Sequence, residues 1–198
     1  MKKWLCIIVS VVMLLAAAAM PACRDEGAYK AKTEREQLLL DYFDAANRKD
    51  YTEWVNYYLA GSLRDRAQQE TEKGYLDIET TTVNDIKLVD SKYCEVWVSS
   101  QLSVYEDAGK PDEAPDYLTD PDKLECYFVC MDVKVHEGIE QDYMTKDGHR
   151  DQLFVLVQVD GNWYIAYSTI MFEMDGYDLD SFHNYTPDPS YGHARKKL

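Results

Sequence analysis

Val157-Gln158-Val159-Asp160-Gly161-Asn162-Trp163-Tyr164-Ile165 reads as two strands and the tight turn between them. Asp-Gly supplies the positive φ angles that a two-residue hairpin turn needs, and the β-branched and aromatic residues on either side suit a half-buried pleated surface. The period of two that marks this hairpin begins as far back as Thr80. It predicts strands over 82–90, 93–105, 124–136, 152–160 and 162–172. In the second of these, Cys94, Val96, Val98, Leu102 and Val104 share a face. In the third, Tyr127, Val129, Met131, Val133 and Val135 do so against Asp132, Lys134 and His136. The intervening segments 106–122, with Pro111, Pro115 and Pro121, and 137–151, with Gly138 and Gly148, read as surface loops.

Before Thr80 the pattern is helical. Thr33 and Glu36 have capping-box spacing, and Leu38, Leu39, Tyr42, Phe43 and Ala46 follow on one face, predicting a helix over 34–48. Asp50 with Glu53 repeats that spacing ahead of Trp54, Val55, Tyr58 and Leu59, with Gly61 as the stop. Ser62 with Asp65 opens a third, more polar helix that ends near Gly74, its apolar face reduced to Leu63 and Ala67. Helices followed by a meandering antiparallel sheet give an α+β domain with its helices on one face. That domain spans 33–174, behind a spacer at 23–32. The tail 175–198 has no apolar period, ends in a basic cluster and is expected to be disordered.

Leu39-Leu40-Asp41-Tyr42-Phe43-Asp44-Ala45-Ala46-Asn47-Arg48-Lys49-Asp50-Tyr51 resembles the opening helix of NTF2-like (SnoaL-like, ketosteroid-isomerase-like) domains, and the 157–165 hairpin resembles their closing one. The resemblance implies a cone, in which a curved antiparallel sheet wraps the first helix and leaves a pocket at the open end. Enzymatic members place an Asp inside the cone, often with a Tyr or a His, as base and oxyanion donor. No inward acid stands at a matching place here, so no catalytic residue is assigned. His136 and His149 read as surface residues. Of the 16 tyrosines, Tyr42, Tyr58 and Tyr127 join Trp163 as the rings expected near the pocket.

The N-terminus carries Lys2 and Lys3, an apolar run from Leu5 to Met20, and Met20-Pro21-Ala22-Cys23. This is the three-part form of a signal peptide, over 1–22. The stretch resembles a bacterial prolipoprotein signal, which implies that Cys23 is diacylated and becomes the mature N-terminus. Cutting at Ala17 and Ala19 to release a soluble chain, or an uncut anchor, are the other readings of the same run. The apolar run is short for an anchor, since a membrane span needs about 20 apolar residues. Lipidation implies localisation at the cell membrane, on the extracytoplasmic side, in the manner of Gram-positive lipoproteins with an NTF2-like domain behind the anchor.

A net charge of −15 works against nucleic-acid binding, which needs cations to displace those around phosphates. Docking on anionic lipid heads is opposed for the same reason, so the lipid would be the sole membrane contact. Cys94, Cys126 and Cys130 show no Cys-x-x-Cys spacing and no His at ligand spacing, so no metal site is expected from the sequence. A Cys94–Cys126 disulfide and three buried thiols both remain open. Asp175-Gly176-Tyr177-Asp178-Leu179-Asp180 lacks the order of a calcium loop. There is no phosphate-binding glycine loop and no Gly-x-Ser-x-Gly elbow, and no cofactor is expected. The resulting expectation is a non-catalytic lipoprotein that binds a small apolar ligand, a glycan or a protein. The alternatives are an isomerase or dehydratase using a pocket carboxylate, and a structural or assembly protein of the envelope.

Overall fold

Thr33 accepts a hydrogen bond from the Glu36 amide and opens α1, Glu34–Asn47. The reciprocal half of the capping box is displaced by one residue, because Glu36 Oε2 takes the Lys32 amide, 2.6 Å, together with the Tyr29 hydroxyl, 2.9 Å. The computed structural model describes residues 29–72, 78–138 and 147–170. The expected signal segment 1–22, Cys23 and the tail from 171 lie outside the described residues, as do residues 139–146 of the expected 137–151 loop, whose last four residues are instead the start of a strand. No helix among the described residues is long and apolar enough to cross a membrane.

Asp50 caps α2, Tyr51–Asn56, through the Glu53 amide. The sequence predicts this helix to continue to Leu59, and it stops at Asn56. Tyr57 and Leu59 are drawn away as strand-like partners of Ile165: the Ile165 amide donates to the Tyr57 carbonyl at 2.8 Å, and the Leu59 amide to the Ile165 carbonyl at 2.9 Å. Helix α3, Ser62–Glu72, follows, with Ala67 buried and Leu63 half-buried, as its thin apolar face implies.

The strands are β1 Ile78–Val89, β2 Leu124–Val135, β3 Gly148–Val159 and β4 Asn162–Ile170. They form one antiparallel sheet in the order β1-β2-β3-β4. The α+β class and the antiparallel sheet expected from the sequence are therefore present. The closing hairpin turns at Asp160 and Gly161, with φ of 51° and 82°, and Val159 pairs with Asn162 across it. Two positive φ angles in succession are what the Asp-Gly dipeptide supplies at low steric cost.

The segment 93–105 is not a strand. Asp90 accepts from the Lys92 amide and opens a short 3₁₀ turn, Ser91–Cys94, that runs straight into helix α4, Glu95–Asp107. Cys94 is buried, and Trp97, Val98, Gln101, Leu102 and Tyr105 are half-buried, a period near 3.6, while Val96 and Val104 are 83% and 62% exposed. The 106–122 loop also carries a short helix, α5, Asp116–Thr119, which buries Leu118.

This helix changes the layering. Helices were expected on one face of the sheet, and both faces are covered. Leu39, Tyr42, Phe43, Trp54 and Tyr58 pack on the face carrying Val129, Met131, Phe154 and Leu156. On the opposite face Cys94, Trp97, Val98 and Tyr117 pack with Cys126, Phe128, Leu153 and Val155. β2 and β3 therefore have apolar residues on both sides over their shared middle, which suppresses the alternation a half-exposed strand would show. Cys94, Cys126 and Cys130 are buried and no disulfide joins them.

Candidate functional site

At the C-terminal end of α1 the inner face of the sheet is incompletely filled. A cavity of about 180 Å³ lies there between α1, α2, β1, the C-terminal half of β2 and the N-terminal half of β3. Its walls are mainly apolar and aromatic: Tyr42, Phe43, Tyr51, Trp54, Met131 and Val133. Lys49, Arg150, Asn47 and Gln152 supply its polar groups, and among the described residues no carboxylate lines it.

Each polar group is held for a local reason. Lys49 follows the end of α1 in a left-handed conformation, φ 61°, and its Nζ donates to the carbonyls of Ile78 and Glu79, both at 2.8 Å. The Asn47 side chain donates to the Thr81 carbonyl and accepts from the Thr81 amide, each at 2.8 Å. Arg150 reaches the cavity from β3, opposite Met131. Burial holds the Arg150 guanidinium below the usual arginine range. Burial also lowers Lys49, with the charge of Glu79 opposing it. Both are cations that have lost hydration, and a bound anion would restore part of it.

Tyr42 also lines the cavity, and its hydroxyl pairs with that of Tyr58 at 2.7 Å. Burial pushes the Tyr42 phenol up, while Tyr58 and the neighbouring Trp54 N–H favour the ionised form. The Trp54 N–H is nonetheless buried without a hydrogen bond of acceptable geometry. A buried donor in that state costs about 1–3 kcal/mol, which an arriving acceptor could recover. Four rings, Tyr42, Phe43, Trp54 and Tyr58, meet edge to face around this point at centroid separations of 4.9–5.6 Å.

The ring residues expected at the pocket thus divide. Tyr42 lines the cavity and Tyr58 stands behind it. Tyr127 and Trp163 sit near the other end of α1, in a separate cluster. There Arg35 makes a two-pronged contact with Glu125, at 3.0 and 2.7 Å, Tyr127 donates to Glu125 at 2.6 Å, and the Arg35 guanidinium lies 5.1 Å from the Trp163 ring. Arg150 and Gln152 on β3 and Lys49 after the end of α1 were missed because they lie about a hundred residues apart in sequence and meet only when α1 packs on the sheet.

On the outer face a larger cleft of about 700 Å³ runs between α4, the start of α3 and β4. Tyr93, Trp97, Tyr117 and Tyr167 give it aromatic walls, with Trp97 and Tyr167 stacked at 6.3 Å and 24°, and Arg66 and Gln101 stand among them.

No family model matches the chain, and no curated protein matches it. Among solved structures it is similar to a domain of unknown function with a cystatin-like fold from Nostoc punctiforme, at a TM-score of 0.38 and 13% identity, over 79% of this chain and 90% of that one. A likeness that remote transfers neither fold nor function.

Proposed function

We propose that the protein is a bacterial lipoprotein, held on the extracytoplasmic side of the cell membrane by a diacylated Cys23. In this reading an NTF2-like domain binds a small, mostly apolar ligand bearing a carboxylate or another hydrogen-bond acceptor, and performs no chemistry on it. The observation that carries the ligand reading is the composition of the α1 cavity: apolar and aromatic walls, two partly desolvated cations, an indole N–H without an acceptor, and no carboxylate among the described residues. Such walls with a few convergent donors suit an amphipathic guest. The volume is near that of an engineered cavity that admits benzene, about 150 Å³, so the guest is of single-ring size. An isomerase or dehydratase would need a general base in reach of this space, and its lining offers donors and cations instead.

Thermal shift and calorimetric titration of the full-length chain in detergent, with benzoate and short aliphatic carboxylates as probes, test this. Carboxylates are expected to bind more tightly than the matching alcohols, and Arg150→Met is expected to weaken them about tenfold or more, an ionic hydrogen bond contributing about 1.5–3 kcal/mol. Equal binding of acid and alcohol, or none of either, rejects the ligand reading. Mass spectrometry of the membrane fraction tests the anchor separately, because an N-terminal peptide beginning at Cys23 without lipid rejects it. The outer cleft supports a second ligand class, since stacked rings beside Arg66 and Gln101 suit a saccharide face. Trp97→Ala should abolish retention on a glycan array while leaving carboxylate binding intact.

A further inference from the structure

Local spacing in the sequence offers no metal site, yet the register of β2 and β3 brings one together. Cys130 lies directly opposite Asp151, and Asp132 directly opposite His149. Residues two apart on a strand face the same way, so the four side chains occupy one patch on the outer face of the ladder. Cys130 Sγ, a His149 ring nitrogen and an Asp151 carboxylate oxygen lie within 4.8 Å of one another, and His149 Nε2 stands 3.1 Å from Asp151 Oδ1. Three ligands held about 2.0–2.3 Å from a tetrahedral ion are roughly 3.3–3.7 Å apart. The His149–Asp151 separation already lies near that spacing, and His149 is exposed.

We propose that Cys130, His149 and Asp151 bind a divalent transition-metal ion of the zinc class. The donor set is one sulfur, one imidazole nitrogen and one carboxylate oxygen, which suits Zn²⁺ and is too soft for Ca²⁺ or Mg²⁺. The surroundings are organised for a cation. Asp151 is buried with its carboxylate facing Cys130 and His149. The other ring nitrogen of His149, Nδ1, lies 3.6 Å from Asp132 Oδ1, and Asp132 Oδ2 is held by the Asn84 side-chain amide at 2.9 Å. A carboxylate behind a metal-binding histidine fixes its tautomer and raises its basicity, which makes Asp132 a positioning residue. Asp85, the β1 partner of Cys130, adds negative charge, and Lys87 makes a 3.3 Å ion pair with it. On binding, the Cys130 S–H bond breaks, the sulfur donates its electron pair to the metal, and the proton passes to the buffer. Three protein ligands leave a fourth position on the solvent side, where His149 is exposed.

The test is cobalt substitution in the chelator-stripped, full-length chain in detergent. One equivalent of Co²⁺ is expected to give tetrahedral visible bands and a thiolate-to-cobalt charge-transfer band, and Zn²⁺ to displace it. His149→Ala alters an exposed side chain, so its circular dichroism and metal-free melting temperature should match the parent while metal affinity falls about 100-fold or more. Asp132→Asn should weaken affinity about 10–100-fold. Cys130→Ser should remove the charge-transfer band. A cobalt spectrum without that band, a band that survives Cys130→Ser, or unchanged affinity in His149→Ala overturns the proposal. Unchanged affinity in Asp132→Asn overturns the role given to Asp132.

Discussion

The hydrogen bond between the Tyr42 and Tyr58 hydroxyls, 2.7 Å long and buried, ties α1 to the segment leaving α2. Removing either oxygen deprives the other of this partner in a place where water is scarce. Tyr42→Phe and Tyr58→Phe are each expected to lower stability by about 1–2 kcal/mol in urea denaturation. The double variant should lose less than the sum, because both changes delete the same bond. Strict additivity would mean that the two hydroxyls contribute independently. Both residues stand out in the sequence as aromatic positions on helical faces. Their mutual bond does not, because it depends on α2 ending early and Tyr58 turning toward Ile165.

Val96 and Val104 decide how the middle of the chain is understood at the level of elements. Cys94, Val96 and Val98 alternate as strand residues do, and their β-branched neighbours reinforce that reading. The burial pattern instead follows Cys94, Trp97, Val98, Gln101, Leu102 and Tyr105, and the two valines point to solvent. Val96→Glu and Val104→Lys are accordingly expected to change stability by no more than about 0.5 kcal/mol. A loss of several kcal/mol in chemical denaturation would restore the strand. The remaining strands and the first helix were legible because their apolar spacing and their caps agree, as at Thr33, Asp50 and Asp160-Gly161. In 93–105 those signals conflict, and only the empty outer face of the sheet selects the helix. The α1 cavity and the Cys130 cluster were illegible for a related reason. Their polar members meet through strand register and, for Asn47 and Lys49, through the packing of α1 on the sheet, which no local window contains.

For the whole molecule, the tyrosines set the alkaline limit. Tyr29, Tyr57 and Tyr127 donate to Glu36, Glu53 and Glu125, and burial first, then that bond to a carboxylate, holds each phenol above its ordinary value of 10. An unfolded chain releases these protons near pH 10 while the folded chain keeps them. Their stabilising contribution is therefore complete below pH 10 and is lost as pH climbs beyond it. Melting temperature should be nearly level from pH 8 to 9.5 and then fall, and the fall should be shallower in a variant carrying Tyr29→Phe, Tyr57→Phe and Tyr127→Phe together. An alkaline fall as steep in that variant as in the parent would contradict this.

The sheet has two outer strands, and on each some of the outward backbone groups are engaged by something other than a strand. The Asn47 amide holds both polar groups of Thr81, Lys49 occupies the Ile78 and Glu79 carbonyls, and the Tyr57–Leu59 segment takes both groups of Ile165. An open row of such groups is a template for another chain, and natural sheets block it with charge, bulges or covering segments. Here the template is interrupted on each margin, at Ile78–Thr81 on β1 and at Ile165 on β4, which shortens the row that a strand of another molecule could pair with. Asn47→Ala, which uncovers Thr81, is expected to promote concentration-dependent oligomers in sedimentation velocity, where the parent chain stays monodisperse. At these points growth by strand addition is opposed by one side-chain amide, one lysine and three residues of backbone.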